Sequence, residues 1–426
     1  MLENSVPAER EQGWISLPGP LWIGIAAVVL LAGSLALRVG VPVYRQQVAM
    51  REIERMGGSV EREDAVPRWL RSRLDWRLAE MFDDVESVRF SQQVDDAALV
   101  QLQQLPKLTT LFLDSSEIAD AQLVHVRALT GLRKLILRDT QVTDAGLSHL
   151  AGLGNLRLLS LRGTAVTDAG LACLGDLRGL EILYLSRTQI TGSGFEHLKG
   201  LVNLTTLSLV ESRVTGIGFA HLSTLPKLQD LELENTPVTD AGLSQIGELK
   251  HLTRLDLRGT AITGSGLEHL KGLHQLVCLA LNETPLTDAG LAALRGLPKL
   301  ASLGLSNTKV TDAGLGYLAG IPELSDLSLA ETAITDAALH HLGGLAGLKV
   351  LQLSGTQVGD VGLSHLAALP RLGYLYLDDT HVTDRGLKHL ESLTVLKELN
   401  VKCAGVTGNG VANLKRTLPK LMLSFD

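Results

Sequence analysis

Cysteine is nearly missing from this chain. Cys173, Cys278 and Cys403 lie far apart in 426 residues and without CxxC spacing, which excludes a disulfide framework and a zinc ribbon. Three thiols so placed fit a reducing compartment. Aromatic residues are scarce too, with six Phe, four Trp and five Tyr, and the formal charge is -7. Nucleic-acid binding needs a basic face against the phosphate backbone, so no nucleic-acid partner is expected. A Walker loop, a GxSxG elbow and any nucleophile, base and orienter set are also missing. The expectation is therefore a protein that is not an enzyme, with no cofactor, no metal and no small-molecule substrate.

One stretch has few polar groups of any kind. No charged residue occurs from Trp14 to Leu37, and "LWIGIAAVVLLAGSLAL" runs from Leu21 to Leu37. At 1.5 Å per residue this covers roughly 26 Å, and continuing to Tyr44 with Arg38 snorkelling reaches a hydrocarbon core of ~30 Å. Pro18 and Pro20 place the helix start near Leu21. The expectation is one transmembrane helix over residues 21–44 after a polar tail at 1–20. A cleaved signal peptide is the alternative, disfavoured by the acidic leading segment and the lack of a small-x-small cleavage site. Arg10 precedes the run whereas Arg38, Arg45, Arg51 and Arg55 follow it. The positive-inside rule then puts the C-terminal bulk in the cytoplasm, as a single-pass membrane protein.

Residues 45–84 read as a connector. "YRQQVAMREIERM" can continue as a polar helix, and Gly57-Gly58 breaks it. After Pro67 an amphipathic helix carries Trp69, Leu70, Leu74, Leu78, Met81 and Phe82 on one side. It is expected to cap the first rung of a stack of repeats; a dimerising or lipid-surface helix is the alternative.

From residue 85 to 426 the chain repeats. Leu113, Leu137, Leu161 and their successors recur every twenty-four residues to Leu377, then Val401, without an insertion. Each unit reads LxxLxLxxTxVTDAGLxxLxGL. The LxL part alternates, as a short strand does, and the following LxxLxxL spacing suits a short helical turn on the opposite side. The Thr of "VTD" persists where its Asp is replaced by Gly192, Gly216, Gly264 or Gly408, so Thr is expected to cap the turn and Asp to favour its dipole. One unit cannot offset its own backbone entropy with the few leucines it contains, and stacking is obligatory. Strands spaced ~4.8 Å apart and helical turns ~8–10 Å apart bend such a stack into an arc with the strands inside.

These residues resemble the leucine-rich repeat family, whose motif is LxxLxLxxN/CxL. With "TDAGL" after the strand, the chain looks most like the ribonuclease-inhibitor-like or cysteine-containing class, as in the repeats of F-box leucine-rich proteins. With "REIERMGGSVE" and "PRWLRSRL" upstream, it is similar to membrane-anchored planctomycete leucine-rich repeat proteins. The resemblance covers about residues 51–426. It implies an α/β solenoid, a curved parallel sheet on the concave side and short helices on the convex side, here preceded by the transmembrane helix. Two departures stand out. Thr140, Thr164 and Thr188 occupy the family's Asn or Cys position, and no F-box-like segment is present.

Eight of the twelve histidines share one column, among them His149, His197 and His341. Zinc ligands must converge within a few ångströms, with bonds of ~2.0–2.1 Å, whereas neighbouring turns sit ~8–10 Å apart. Packing is the expected role; metal or pH sensing is the lesser alternative. The Asp column fails as an acid-base pair or calcium loop for the same reason. The residues that break the rhythm lie beside the strand leucines. They are Phe112, Ile136, Leu158, Ile182 and Tyr184 at one end, Asp230, Glu232, Glu234, Arg254, Asp256 and Arg258 in the middle, and Tyr374, Tyr376, Asp378 and Asp379 at the other. The expected function is a membrane-anchored adaptor or scaffold whose concave face binds a protein or peptide through these residues. Strand propensity for aromatics and a passive spacer tethered to the membrane are the competing explanations.

Overall fold

The computed structural model describes residues 19–63, 69, 73, 75, 83–90, 94–114 and 117–425. The first element, α1 (Gly19–Arg55), runs for 37 residues. It does not meet the expectation of a membrane span: among the described residues no helix is long and apolar enough to cross a membrane. The uninterrupted apolar run reaches only about 26 Å against a core of ~30 Å, and lengthening it past Leu37 draws Arg38 inside. The transmembrane helix over 21–44, the single-pass membrane localisation with its cytoplasmic orientation, the membrane contact and the tethered spacer are corrected together.

The far end of α1 does something else. Gln46, Ala49, Met50 and Ile53 are buried against the first rungs, at the i, i+3, i+4, i+7 spacing of an amphipathic helix. Gln46 Nε2 donates to the Asp83 carbonyl at 2.6 Å. The segment expected to be a polar continuation is thus the helix that covers the first apolar edge. β1 (Gly58–Glu63) completes the cover by pairing antiparallel with β2 (Asp84–Phe90). The capping helix expected after Pro67 falls largely outside the described residues; Trp69, which is described, is 67% exposed.

Beyond β2 every pairing is parallel and in chain order, giving one sheet of sixteen strands among the described residues. The strands are β3 (Thr110–Phe112), β4 (Lys134–Ile136), β5 (Leu158–Ser160), β6 (Ile182–Tyr184), β7 (Thr206–Ser208), β8 (Asp230–Glu232) and β9 (Arg254–Asp256). They continue as β10 (Cys278–Ala280), β11 (Ser302–Gly304), β12 (Asp326–Ser328), β13 (Val350–Gln352), β14 (Tyr374–Tyr376), β15 (Glu398–Asn400) and β16 (Met422–Ser424). From β3 onward each pairs with its successor at a shift of twenty-four residues, Leu159 opposite Leu183 and Leu351 opposite Leu375. On the other side of the core lie α-helical or 3₁₀ turns, such as Asp144–Leu147 and Asp168–Leu174. Both leucines of each LxL point between these layers and are buried, as are the leucines of the turns.

Three backbone devices stitch the rungs together. In the first, Thr occupies the family's Asn or Cys position. Thr164 Oγ1 donates to the Leu161 carbonyl and Thr260 Oγ1 to the Leu257 carbonyl, both at 2.6 Å. A buried hydroxyl bound to the carbonyl three residues back is satisfied within its own turn. In the second, the Thr of "VTD" sits at the N-cap and, in Thr143 and Thr167, its oxygen accepts from the amide two residues on at 3.3 Å. Its Asp, however, is no mere dipole partner, because turns of four to seven residues have little dipole to offer. Asp144 Oδ1 accepts from the Thr167 amide at 2.8 Å and Asp144 Oδ2 from Thr167 Oγ1 at 2.5 Å. Asp288 holds Thr311, and Asp360 holds Thr383, in the same two-pronged way. The carboxylate is a clamp on the next rung.

The third device is a left-handed residue after each strand. In every repeat from Asp139 to Cys403 the residue before the buried Thr column has φ between 53° and 70°. The twist aims its amide at the next rung, as where the Glu331 amide donates to the Ser354 carbonyl at 2.8 Å. Only Gly163, Gly259 and Gly355 meet this demand as glycine. For other residues the conformation costs roughly 1–2 kcal/mol, partly offset by the greater unfolded-state entropy of glycine. Glu331→Gly is therefore expected to stabilise the protein by about 0.5–1 kcal/mol. A urea midpoint that rises at unchanged slope checks this.

Candidate functional site

The parallel register sorts the exposed strand residues into two lines. Thr110, Lys134, Leu158, Ile182, Thr206 and Asp230 succeed one another along one, which continues through Arg254, Cys278, Ser302, Asp326, Val350 and Tyr374 to Glu398. Phe112, Ile136, Ser160, Tyr184, Ser208 and Glu232 begin the other. Sequence alone treats these side chains as one group per strand; the register makes neighbours of residues twenty-four apart.

At the β3 end the apolar residues do not form a single patch. Phe112 lies under the Arg89 guanidinium, 3.7 Å from its ring centroid, and Arg89 also approaches Asp114 at 3.7 Å. Ile136 is only 6% exposed, so it contributes shape more than contact area. Leu158 and Ile182 are cross-strand neighbours in one line, and half-buried Tyr184 stands in the other, separated from Ile136 by the buried Ser160.

In the middle, two arginines are set against three of the four acids. Arg258 donates Nε to Asp256 Oδ1 at 2.9 Å and Nη2 to Asp256 Oδ2 at 2.7 Å, and Nη2 reaches Glu234 Oε2 at 2.6 Å. Asp256 is 3% exposed and works as the anchor of Arg258. Arg254 Nε comes to 3.7 Å from Asp230 Oδ1. Burial pushes the Asp230 carboxyl above its ordinary value; Glu232 and Asp256 push the same way and Arg254 offsets only part. Glu232 is half-buried beside it.

At the β14 end Tyr374 and Tyr376 are half-buried on the same face of one strand. Lys397 Nζ stands 5.9 Å from the Tyr374 ring centroid, within cation–π range. Burial, the Glu398 charge, Tyr374 and a hydrogen bond to Glu398 all push the Tyr376 phenol above its usual value. Asp378 Oδ1 accepts from the Lys402 amide at 2.8 Å, which ties it to the next rung. Asp379 is the exposed left-handed residue, with φ 54°.

The histidine column lies on the side of the turns. His340, beside the column rather than in it, has its ring centroid 6.2 Å from that of His365, and among the described residues no three His, Cys, Asp or Glu side chains gather to hold a metal ion.

A family model described as Leucine Rich repeat matches residues 248–271 and 348–367. An internalin from Listeria monocytogenes shares the fold with a TM-score of 0.59 at 25% identity, over 78% of this chain and 88% of that one. A leucine-rich repeat protein from Leptospira interrogans has a TM-score of 0.53 at 20% identity, over 76% and 92%. The chain is a leucine-rich repeat solenoid. TLR13, solved as a complex with ssRNA13, is a further structural neighbour, with a TM-score of 0.56 at 18% identity over 79% of this chain and 54% of that one. No curated protein matches this sequence.

The solenoid has one feature that a search for large side chains passes over. Across β10–β13 the exposed lines carry Cys278, Ala280, Ser302, Gly304 and Ser328, and the sheet face sinks into a hollow of about 290 Å³. Gly304 leaves room for Asn282, whose Nδ2 lies 2.5 Å from where a β-carbon would stand. Asn282 Oδ1 accepts from the Ser306 amide at 2.8 Å, and the hydroxyls of Ser306 and Ser328 lie 2.5 Å apart. Ser328 Oγ donates to Gln352 Oε1 at 2.8 Å. The signal was legible as a run of small residues at the two positions flanking the second leucine of each strand's pattern. It becomes a site only once the register sets those positions side by side.

Proposed function

We propose that the leucine-rich repeat solenoid is an adaptor or scaffold whose exposed strand face, the concave side of the arc, binds a protein or an extended peptide. The observation that carries this is Tyr374 and Tyr376 standing together, half-buried, on one strand of a chain with only five tyrosines. Amphipathic rings held in place by neighbours lose little entropy on binding and supply much of the energy of protein interfaces. Phe112, Leu158, Ile182 and Tyr184 offer a second contact area toward the other end, and the ion pairs around Arg258 form a polar stretch between. By its twenty-four-residue period and "TDAGL" phrase the solenoid is assigned to the ribonuclease-inhibitor-like class.

The double variant Tyr374→Ala/Tyr376→Ala is expected to recover less than about a tenth of the partner crosslinked by the unaltered protein, a loss equivalent to at least 1.4 kcal/mol. Its urea midpoint should change little, since both leucines of β14 stay in place. Equal recovery by the variant and the unaltered protein sinks the reading.

A further inference from the structure

The hollow over β10–β13 interrupts the sheet face between the ion-paired middle and the tyrosine pair. Its floor is made of the smallest side chains on that face, Ala280 and Gly304, and Val350 forms part of its far side. Asp326 on β12 opens into it and is half-buried. Of the acids in the middle, Asp230 faces Arg254 and both Asp256 and Glu234 hold Arg258, while Glu232 stands beside Asp230 outside the described ion pairs and away from the hollow's lining. Asp326 takes a hydrogen bond from its neighbour Ser325 at 2.7 Å, and none of the described ion pairs includes it. In its own line the nearest arginine is Arg254, three strands away, which at ~4.8 Å per strand is far outside ion-pair range. Toward β15 the acidic bias continues through Asp378, Asp379 and Glu398.

Resting on the peptide-binding reading above, we propose that the partner is a basic segment, an extended chain that lays a Lys or Arg side chain into this hollow. Its aliphatic stem crosses Ala280, Gly304 and Val350, and its charged head meets the Asp326 carboxylate. The flanking residues extend toward Tyr374, whose ring already accepts one cation, Lys397, on its face. A hollow with small walls and one carboxylate outside the described ion pairs fits a long cationic side chain better than an apolar one, which covers the acid without supplying a cation. An acidic or phosphorylated segment meets repulsion from Asp326 and Glu398 together.

The test uses the full chain and three fluorescein-labelled peptides, alternating Arg-Ser, alternating Glu-Ser and Ser-Gly, followed by anisotropy. The Arg-Ser peptide is expected to bind, more weakly as salt rises, and the other two are not. Asp326→Asn and Ala280→Phe, which fills the hollow, should each weaken it by about tenfold or more. Glu196→Gln, which removes one negative charge from the opposite side of the solenoid, should leave it unchanged. Ser302→Phe replaces Ala280→Phe if that variant melts early. Arg-Ser binding that is indifferent to both hollow variants, or weakened equally by Glu196→Gln, overturns the proposal. So does tighter binding of either other peptide, which leaves the peptide-binding reading in place. If no peptide binds, the proposal also falls; the broader reading then survives only if crosslinked partner recovery still depends on Tyr374 and Tyr376.

Discussion

Gly216→Ala is expected to lower the stability of the solenoid by about 3 kcal/mol or more and to give two urea transitions where the unaltered protein gives one. Gly216 has φ of 113°, a conformation an L side chain rarely adopts. A β-carbon there would stand 2.4 Å from the Gly242 α-carbon, a backbone atom of the next rung that cannot swing aside as a side chain can. The only relief is to push the two rungs apart. In a stack whose rungs touch only their neighbours, one opened junction uncouples the parts on either side, hence the second transition. Gly152→Ala is the matched control, with no heavy atom within 4 Å of the added carbon. A midpoint shift that is equally small in both variants contradicts the argument.

The second large effect is at Asp168. Its Oδ2 accepts from the Thr191 amide at 2.9 Å and from Thr191 Oγ1 at 2.7 Å, and its Oδ1 accepts from the amides of Gly192 and Gly194 at 3.0 and 2.9 Å. Burial alone would raise this carboxyl, but the bonds from Gly194, Thr191 and Gly192 together outweigh it and hold it below the ordinary value. Asp240 is held down in the same way by Thr263, Gly266 and Gly264, and Asp384 by the amide and hydroxyl of Thr407 with help from Gly410. A carboxylate with a depressed folded pKa stabilises the native state fully above its unfolded value near 3.8. That contribution is lost as the pH falls from there through the depressed value. The part of the melting temperature that these carboxylates carry should thus be flat from neutral pH to about pH 5 and drop below about pH 4. In Asp168→Asn one accepting oxygen becomes an NH₂ that faces two donors, at a cost of about 2–3 kcal/mol. The variant should also show a shallower acid drop, and an acid profile identical to that of the unaltered protein would rule out the clamp as its origin.

These two sites also show where local sequence patterns stop being informative. That glycine replaces Asp at positions 192, 216 and 264 is visible in the sequence, and it looks like evidence that the Asp is dispensable. The structure reverses the inference. Gly192 and Gly264 donate their amides to the Asp of the preceding rung, so the substitution strengthens one clamp while removing the next. Cross-rung bonds join residues twenty-three to twenty-six apart, and no local pattern states which oxygen meets which amide. The membrane span fails for a different reason: apolar content marks residues 21–37, whereas the same helix continues into a face at Gln46, Ala49, Met50 and Ile53 that packs on the solenoid.

What the sequence determined by itself is the architecture of the repeats. A leucine spacing that changes from two to three within each unit permits only a strand followed by a turn, and an uninterrupted twenty-four-residue period requires the units to stack in register. What tertiary structure alone decided is which strand residues are exposed and which are paired with one another. Ile136 and Asp256 were expected to be contact residues and are buried, while the hollow is built from residues too small to draw notice. The physical reason is that a binding surface depends on neighbours across strands. Exposure, ion pairing and cavity volume belong to pairs and triplets of residues far apart in the chain, and they exist only once the sheet has formed.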